Sequence, residues 1–409
     1  MLFCVSHHLR YDGNRRVLFK VTCCQTIPAR QADIAIHDNE PKCFYLCRLR
    51  VQAVQHGATL AVACKRDPFW HCMCSSTQRV PSNVMSTLAH TLLVWSLLVA
   101  CCPAQTPAFK VLPWNSHAAA VSLTFDDARP VQLDVAVPEL NKRHLRATLF
   151  VTVSKLTRLD DWRKAHLQGH EIGNHSVSHE HPSELTKASE EIQVEDAKQF
   201  LESNFQCAVS IFAYPYAELS PGLQFWVKKY NFAARGWHGD GNLLYVTSDA
   251  DPDWYNLPSQ PVYAKYDAAV YKDWIDRAMS MGAWTTIQIH GIGDPATGFE
   301  PIPQDRFVFL LDYLKRQENE GLWIAPFGEV AAYLRAQKIL EKAQPKAYKN
   351  DQRFTWELPS PFPRGVVVKV TRIGRGRQRL YQSGRELHPN RSGEYPVSFD
   401  LRELTIGSQ

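Results

Sequence analysis

The sequence predicts an α/β protein: a (β/α) barrel followed by a small β-rich C-terminal module. Three observations carry this prediction. Short apolar runs alternate with helical patterns from residue 118 to about 342, polar or charged residues stand directly after those runs, and beyond residue 350 brief β-rich runs are separated by Gly, Pro and Asn. Buried short strands alternating with amphipathic helices are the signature of a parallel sheet, and the number of units favours closure into a barrel. In a barrel the chemistry sits where strands end and loops begin.

The predicted strands are Ala120–Phe125, Thr148–Thr152, Val209–Tyr214, Phe232–Arg235, Thr286–His290 and Leu322–Pro326. Between them, apolar residues at helical spacing predict helices over Val131–Lys142, Glu184–Asn204, Leu223–Tyr230, Ala268–Met281, Asp305–Asn319 and Glu329–Glu341. Lys342–Asp351 is polar, contains Pro345 and reads as a linker. The tail then offers β-rich runs at Arg353–Leu358, Gly365–Ile373, Gln378–Gln382 and Tyr395–Leu401, enough for an antiparallel module that binds carbohydrate or covers one end of the barrel.

The first quarter reads differently. The chain has 409 residues, 45% hydrophobic and 21% charged, with a net charge of +5 and 11 cysteines. Residues 1–104 carry +6 and ten of the cysteines, whereas residues 105–409 carry −1 and only Cys207. The basic balance therefore gives no reason to invoke nucleic acid for the main body. A zinc module built from Cys43, Cys47, His71, Cys72 and Cys74 lacks paired clips at finger spacing. After Met85, the apolar run Thr91–Cys102 is too short for the ~20 residues that span a bilayer. It has the length of a secretory h-region, and small residues follow it. We therefore expect residues 1–84 to be an upstream extension outside the natural product and residues 85–104 to be a signal peptide. Cys101 is lipidated if Leu98–Cys101 acts as a lipobox, and otherwise cleavage follows Ala104. Residues 105–342 form the barrel and 343–409 the linker and β-rich module. The mature protein is then extracytoplasmic.

The residues at the strand exits carry chemistry. Asp126 and Asp127 are adjacent carboxylates directly after a hydrophobic strand, a costly arrangement unless their charge is used. Their side chains diverge, so one can bind a cation while the other faces a substrate. His175 and His179 are four apart, which places both imidazoles on one face of a helical turn. One Asp with two His leaves a fourth position open for water, the pattern of catalytic zinc. His290 stands at another strand exit.

Thr124-Phe125-Asp126-Asp127, His175-Ser-Val-Ser-His179, Tyr214-Pro215-Tyr216 and Ile289-His290, in this order, resemble the motifs of the NodB-homology polysaccharide deacetylases of carbohydrate esterase family 4. The resemblance covers roughly residues 118–340. It implies a distorted (β/α) barrel of the NodB type, a divalent metal that is usually Zn2+ and sometimes Co2+, and hydrolysis of N- or O-acetyl groups on a glycan substrate. It further implies that Asp126 is the base, that Asp127, His175 and His179 hold the metal, and that His290 is the acid. The backbone N–H of Tyr216 helps to hold the oxyanion. Asp253 orients His290 and raises its pKa, and Trp254 walls the acetyl pocket.

Two departures stand out. The family's third motif carries an Arg that pairs with the base and a Gly after the aromatic, where this sequence has Ala213 and Ala217. Arg235, at the end of the next strand-like run, can reach inward and take the missing place. His290 is followed by Gly-Ile-Gly rather than an acidic residue. The long loop over residues 236–258 offers Trp237, Trp254 and Tyr255 as a sugar-stacking surface. The competing readings are a non-catalytic glycan-binding relative, motivated by Ala213, and hydrolysis of a small amide on the same barrel.

Overall fold

The computed structural model describes residues 109–237, 241–348, 351–373 and 378–407, together with the backbone of 11–12, 16–17, 47–54 and 57–64. The chain divides into two units, Met1–Thr106 and Pro107–Gln409. In the first, Cys47–Val54 pairs antiparallel with Gly57–Cys64, and Tyr11–Asp12 with Arg16–Val17. The alternation of Arg48, Arg50 and Gln52 with Leu49, Val51 and Ala53 is a period-2 signal for the longer hairpin. The expected leader over 85–104 lies outside the described residues, as do Cys43, His71, Cys72 and Cys74.

The second unit is mixed α/β around a nearly closed parallel sheet. We number the barrel strands β1 (Ala119–Asp126), β2 (Thr148–Val151), β3 (Glu171–Asn174), β4 (Ile211–Ala213), β5 (Ala233–Trp237), β6 (Leu257–Pro258), β7 (Gln260–Pro261), β8 (Ala283–Ile289) and β9 (Leu322–Ile324). Parallel pairing runs β8–β1–β2–β3–β4–β5–β6, and β7 returns to β8. Only Ser259 separates β6 from β7, so the segment Leu257–Pro261 joins the two ends of the sheet. β8 occupies one edge of β1. The other edge is shared by β9 at Ala119–Val121 and β2 at Thr124–Asp126, which distorts the barrel.

β1 is buried along its whole length, as a strand covered on both faces must be. The barrel interior is partly polar: Trp284 Nε1 donates to Ser122 Oγ (3.1 Å) and Gln260 Nε2 to Thr285 Oγ1 (2.7 Å). One end is filled by Phe327, whose ring meets Phe150 at 5.8 Å and Trp284 at 5.3 Å. Gly173 in β3 has no room for a side chain, because a Cβ there would lie 2.4 Å from the Phe150 ring.

The helices are α1 (Val137–Lys142), α2 (Leu159–Leu167), α3 (Lys187–Phe205), α4 (Pro221–Tyr230), α5 (Ala268–Met281), α6 (Gln304–Asn319) and α7 (Phe327–Lys342). Their starts follow from caps: Thr186 and Ser189 form a capping box, Ser220 Oγ accepts from Leu223 N, and the Asp267 carboxylate accepts from Ala269 N and Val270 N. The expected helix over Val131–Lys142 opens as a π turn, Gln132–Ala136. β3 and α2 were absent from the expected elements, since Glu171-Ile-Gly-Asn174 is neither apolar nor alternating. Among the described residues no helix is long and apolar enough to cross a membrane.

The tail is antiparallel. Pro345–Tyr348, expected as linker, is itself a strand, paired with Asp351–Thr355. Asp351–Thr355, Glu403–Gly407, Arg379–Gln382 and Arg385–Leu387 complete that sheet. A second sheet pairs Val367–Arg372 with Tyr395–Ser398 and with Phe109–Val111, so the module takes a strand from the beginning of the unit. Phe354, Trp356, Val368, Val370, Leu404 and Ile406 pack with Tyr333 and Leu340 of α7 in one apolar cluster.

Glu171 opens β3 beneath α7. Its carboxylate accepts from Thr148 Oγ1 (2.6 Å) and from Gly328 N (2.9 Å). Burial nonetheless pushes its pKa up to about 7, from 4.5, against those two hydrogen bonds. A raised carboxyl pKa favours the protonated form in the folded state. Its contribution is therefore present below about pH 4.5 and lost as pH rises through about 7. We expect Glu171→Gln to gain stability relative to wild type across this window, by at most about 3 kcal/mol, and to level off above it. Urea unfolding of both proteins at several pH values measures this difference, and parallel pH curves for the two proteins would refute it.

Candidate active site

β1 ends by delivering Asp126 and Asp127 to one mouth of the barrel. Both are buried, and Asp127 takes φ +76°, a left-handed conformation uncommon outside glycine. Ser176 (+70°), His179 (+62°) and Tyr216 (+57°) share it. Four non-glycine residues in this region around one cluster mark a site where local backbone preference yields to function.

The Asp126 carboxylate is held by two donors. Arg235 Nη2 donates to its Oδ2 at 2.5 Å and Gln288 Nε2 donates to the same oxygen at 2.8 Å. Ser259 Oγ donates to Gln288 Oε1 (3.2 Å) and accepts from Arg235 Nη1 (3.4 Å). These contacts form a closed ring of four buried side chains drawn from β1, β5, the β6–β7 junction and β8. The other carboxylate oxygen, Oδ1, has no hydrogen-bond partner among the described residues. Burial works against ionisation of Asp126, but Arg235, then His175 and His290, outweigh it and hold the carboxyl below its usual range. Arg235 pairs in register with Ala213 of β4, so the two side chains lie side by side on the same face of the sheet. The guanidinium thus occupies the place that an Arg at 213 would have served, and it stacks over Phe150 at 5.1 Å.

Asp127, His175 and His179 converge, with one possible ligand atom from each lying within 4.8 Å of the others. Asp127 Oδ1 is 3.2 Å from His179 Nε2 and 3.8 Å from His175 Nε2. His175 Nδ1 donates to the Ala213 carbonyl (2.8 Å), which leaves the Nε2 lone pair toward Asp127. Burial lowers the pKa of His175, and burial with its neighbour His175 brings His179 down to about 4. Both rings are therefore neutral near pH 7. Burial opposes ionisation of Asp127, but His175, His179 and Lys155 hold its pKa far below the usual carboxylate range. Lys155 Nζ lies 3.1 Å from its Oδ1, and Arg129 Nη2 lies 3.1 Å from its Oδ2.

The His175–His179 segment is a loop, not the helical turn that the spacing suggested. Polar side chains clip it in shape. Asn174 Oδ1 accepts from Ser176 N (2.9 Å), Ser176 Oγ accepts from His179 N (2.9 Å), and Gln193 Oε1 accepts from both Val177 N (3.0 Å) and Ser178 N (2.9 Å). Gln193 comes from α3 and had no sequence signal beyond its place in a helix. Gln132 was missed for the same reason. Its amide donates to the carbonyls of Asp126 (2.6 Å) and His290 (3.0 Å), tying two strand exits together.

His290 Nε2 stands 3.7 Å from Asp126 Oδ2, and its Nδ1 has no partner among the described residues. Burial lowers its pKa, with Asp126 pulling the other way, so it is neutral near pH 7. The expectation that Asp253 raises it is not met. Asp253 is exposed, and its carboxylate accepts from Tyr255 N (3.0 Å). Trp254 is displaced likewise: its ring faces Arg335 of α7 at 5.5 Å. Register explains both. Leu257 pairs with Arg235 in a parallel ladder and Ala234 N donates to Trp254 O (2.8 Å), so Asp253 and Trp254 lie beside the beginning of β5. Tyr255 packs under Lys228 and Arg335 rather than at the mouth. The side chain of Trp237 lies outside the described residues. Tyr216 does reach the site; its half-exposed ring stacks on His181 (3.6 Å) and meets His179 at 4.6 Å.

Comparison with known proteins gives this geometry a family. Residues 115–234 match the family model described as polysaccharide deacetylase. Over this segment the chain is similar to the polysaccharide deacetylase family. The matched segment includes Asp126, Asp127, His175, His179 and Tyr216; Arg235 follows it directly and His290 lies well beyond it. A curated relative, a gellan lyase from Bacillus sp., is 23% identical over 294 residues; the alignment covers 66% of this chain, and the chain spans 12% of that protein's length. Among solved structures, a peptidoglycan deacetylase from Bacillus subtilis is 18% identical with a TM-score of 0.37, covering 56% of this chain and 96% of that one. A family 4 carbohydrate esterase from Streptomyces lividans in complex with acetate is 20% identical with a TM-score of 0.36, covering 51% and 92%.

Removing one member of a buried ion pair strands the other charge. Arg235→Met should therefore cost about 3–5 kcal/mol of stability, and Asp126→Asn in the same chain should restore much of it. Denaturant unfolding of the two single variants and the double variant reads the coupling directly, and additive losses would show that the pair is not coupled.

Proposed function

We propose that this chain is an extracytoplasmic, divalent-metal-dependent hydrolase that removes N- or O-acetyl groups from a polysaccharide or oligosaccharide. One observation carries the reading: a buried Asp126 with one oxygen pinned and the other unpartnered, beside a carboxylate and two neutral imidazoles that converge. The family match supports glycan deacetylation, and the apolar run over residues 91–102 supports export.

The donor set fits a divalent ion. One carboxylate oxygen and two imidazole nitrogens in their deprotonated forms suit Zn2+ foremost and Co2+ next, and Asp127 Oδ1 already attracts an ammonium group. When bound, such an ion polarises the acetyl carbonyl and lowers the pKa of the attacking water.

The chain's own side chains do the rest. Asp126 Oδ1 takes the proton of the attacking water, while Arg235 and Gln288 keep the carboxylate ionised and fixed by Oδ2. The Tyr216 backbone N–H donates to the developing oxyanion. His290 starts neutral. The proton that Asp126 Oδ1 takes from the water is relayed to His290, which passes it to the leaving amine or alkoxide. The absence of Arg at 213 had motivated a purely glycan-binding role. The Arg235–Asp126 pair supports the catalytic reading instead, since a binder needs no poised base.

The metal-loaded chain should release acetate from at least one of acetylxylan, chito-oligosaccharides and peptidoglycan, and chelation should abolish release. His175→Ala and His179→Ala should lose stoichiometric metal by elemental analysis. Asp126→Asn should keep the metal and lose roughly a hundredfold or more in kcat. Acetate from none of the three substrates would favour the glycan-binding reading.

A further inference from the structure

On the His290 side of the mouth stand two aromatic rings that the core does not use. Phe299 is 57% exposed, and its ring meets the His290 imidazole near-perpendicularly at 5.5 Å. Tyr263 meets Phe299 at 6.4 Å, and the Lys265 ammonium lies over the Tyr263 ring at 5.5 Å. A loop free to rearrange would let the Phe299 ring fold inward.

The backbone does not permit that rearrangement. Ile302 N donates to Gly291 O (3.0 Å) and Gly293 N to Ile302 O (2.8 Å), which closes the loop at its base. Asp294 caps the turn through Ala296 N (2.7 Å), and Thr297 Oγ1 donates to Ile292 O (3.0 Å). The two sides of the loop touch so closely that a Cβ on Gly291 would fall 2.9 Å from Gly298 N. The segment carrying Tyr263 is tied to this loop. The Glu300 carboxylate accepts from Ala264 N (2.9 Å), and Arg306 donates to the carbonyls of Ala264 (3.0 Å) and Tyr266 (2.5 Å). Both rings are thus presented on a fixed frame, which lowers the entropy lost when something binds them.

We propose that Phe299 and Tyr263 form a subsite for an uncharged pyranose ring, on the leaving-group side of the scissile acetyl bond. This rests on the deacetylase reading, in which His290 protonates the sugar amine or hydroxyl. A group leaving toward His290 is itself part of a sugar, so the ring that carries it, or the next one along, lies against Phe299. A pyranose offers C–H groups on its faces and hydroxyls on its rim. The aromatic face attracts the former, and the Tyr263 hydroxyl and Lys265 ammonium suit the latter. Sequence reasoning placed the stacking surface at Trp237, Trp254 and Tyr255; Phe299 carried no motif and is singled out only by its exposure beside His290.

The test is calorimetric titration of the full chain with chito-oligosaccharide, alongside an acetate assay of the same samples. Phe299→Ala should weaken binding roughly five- to tenfold. Its denaturant midpoint should match wild type because the ring is exposed, and Phe299→Trp should bind within about twofold of wild type. A Phe299→Ala chain that binds like wild type overturns the subsite, and so does a wild-type chain that binds no oligosaccharide. Binding that is lost in Phe299→Ala, with no acetate released by wild type from chito-oligosaccharide, acetylxylan or peptidoglycan, upholds the subsite and overturns the deacetylase reading.

Discussion

The buried ion pair between Asp126 and Arg235 is the constraint on which the rest of the site depends. Two full charges stand in an interior where neither is stable alone. The protein satisfies them with a ring of contacts rather than a single bridge: Gln288 shares the carboxylate oxygen, and Ser259 joins Gln288 to Arg235. The members come from β1, β5, β8 and the one residue between β6 and β7. The same contacts therefore hold the two ends of the sheet together where the barrel closes. Ionisation of Asp126 and closure of the fold rest on one set of hydrogen bonds.

The rest of the mouth follows from burial acting oppositely on acids and bases. Desolvation disfavours every charge, so it raises carboxyl pKa values and lowers those of imidazoles. Around Asp126 and Asp127 the first tendency is overridden by Arg235, Lys155 and the imidazoles, whereas nothing overrides the second for His175 and His179. All three donors are left deprotonated near neutrality, the condition a cation-binding set requires.

How much of this the sequence disclosed follows from what each residue depends on. Asp126, Asp127, His175, His179 and His290 were legible because they follow strand-like runs and because the chemistry restricts the residue type. β1, β8 and most helices were legible from their apolar period. β3 was not: a strand containing Gly173 looks like a loop until Phe150 is seen to fill the space beside it. The loop that orients the histidines depends on Gln193, eighteen residues after the histidine pair begins and on another element. Asp253 and Trp254 show the opposite error. A fitting pair of letters was assigned to the mouth, but strand register carries it toward the other end of β5. Arg235 lay between these cases: the missing Arg at 213 suggested it, but only its rung beside Ala213 shows how it reaches Asp126.

Arg235 and Ala213 are partners in the parallel ladder between β4 and β5. Adjacent strands lie about 4.8 Å apart, and a long flexible guanidinium stem spans that offset with ease. In a barrel, the address of a functional charge is thus a point in space that several chain positions can reach. Linear signatures record only one of those positions. A barrel whose signature looks broken at one strand should be inspected at the neighbouring rung before its chemistry is written off, because the side chain can have moved sideways while the atom it serves stayed in place.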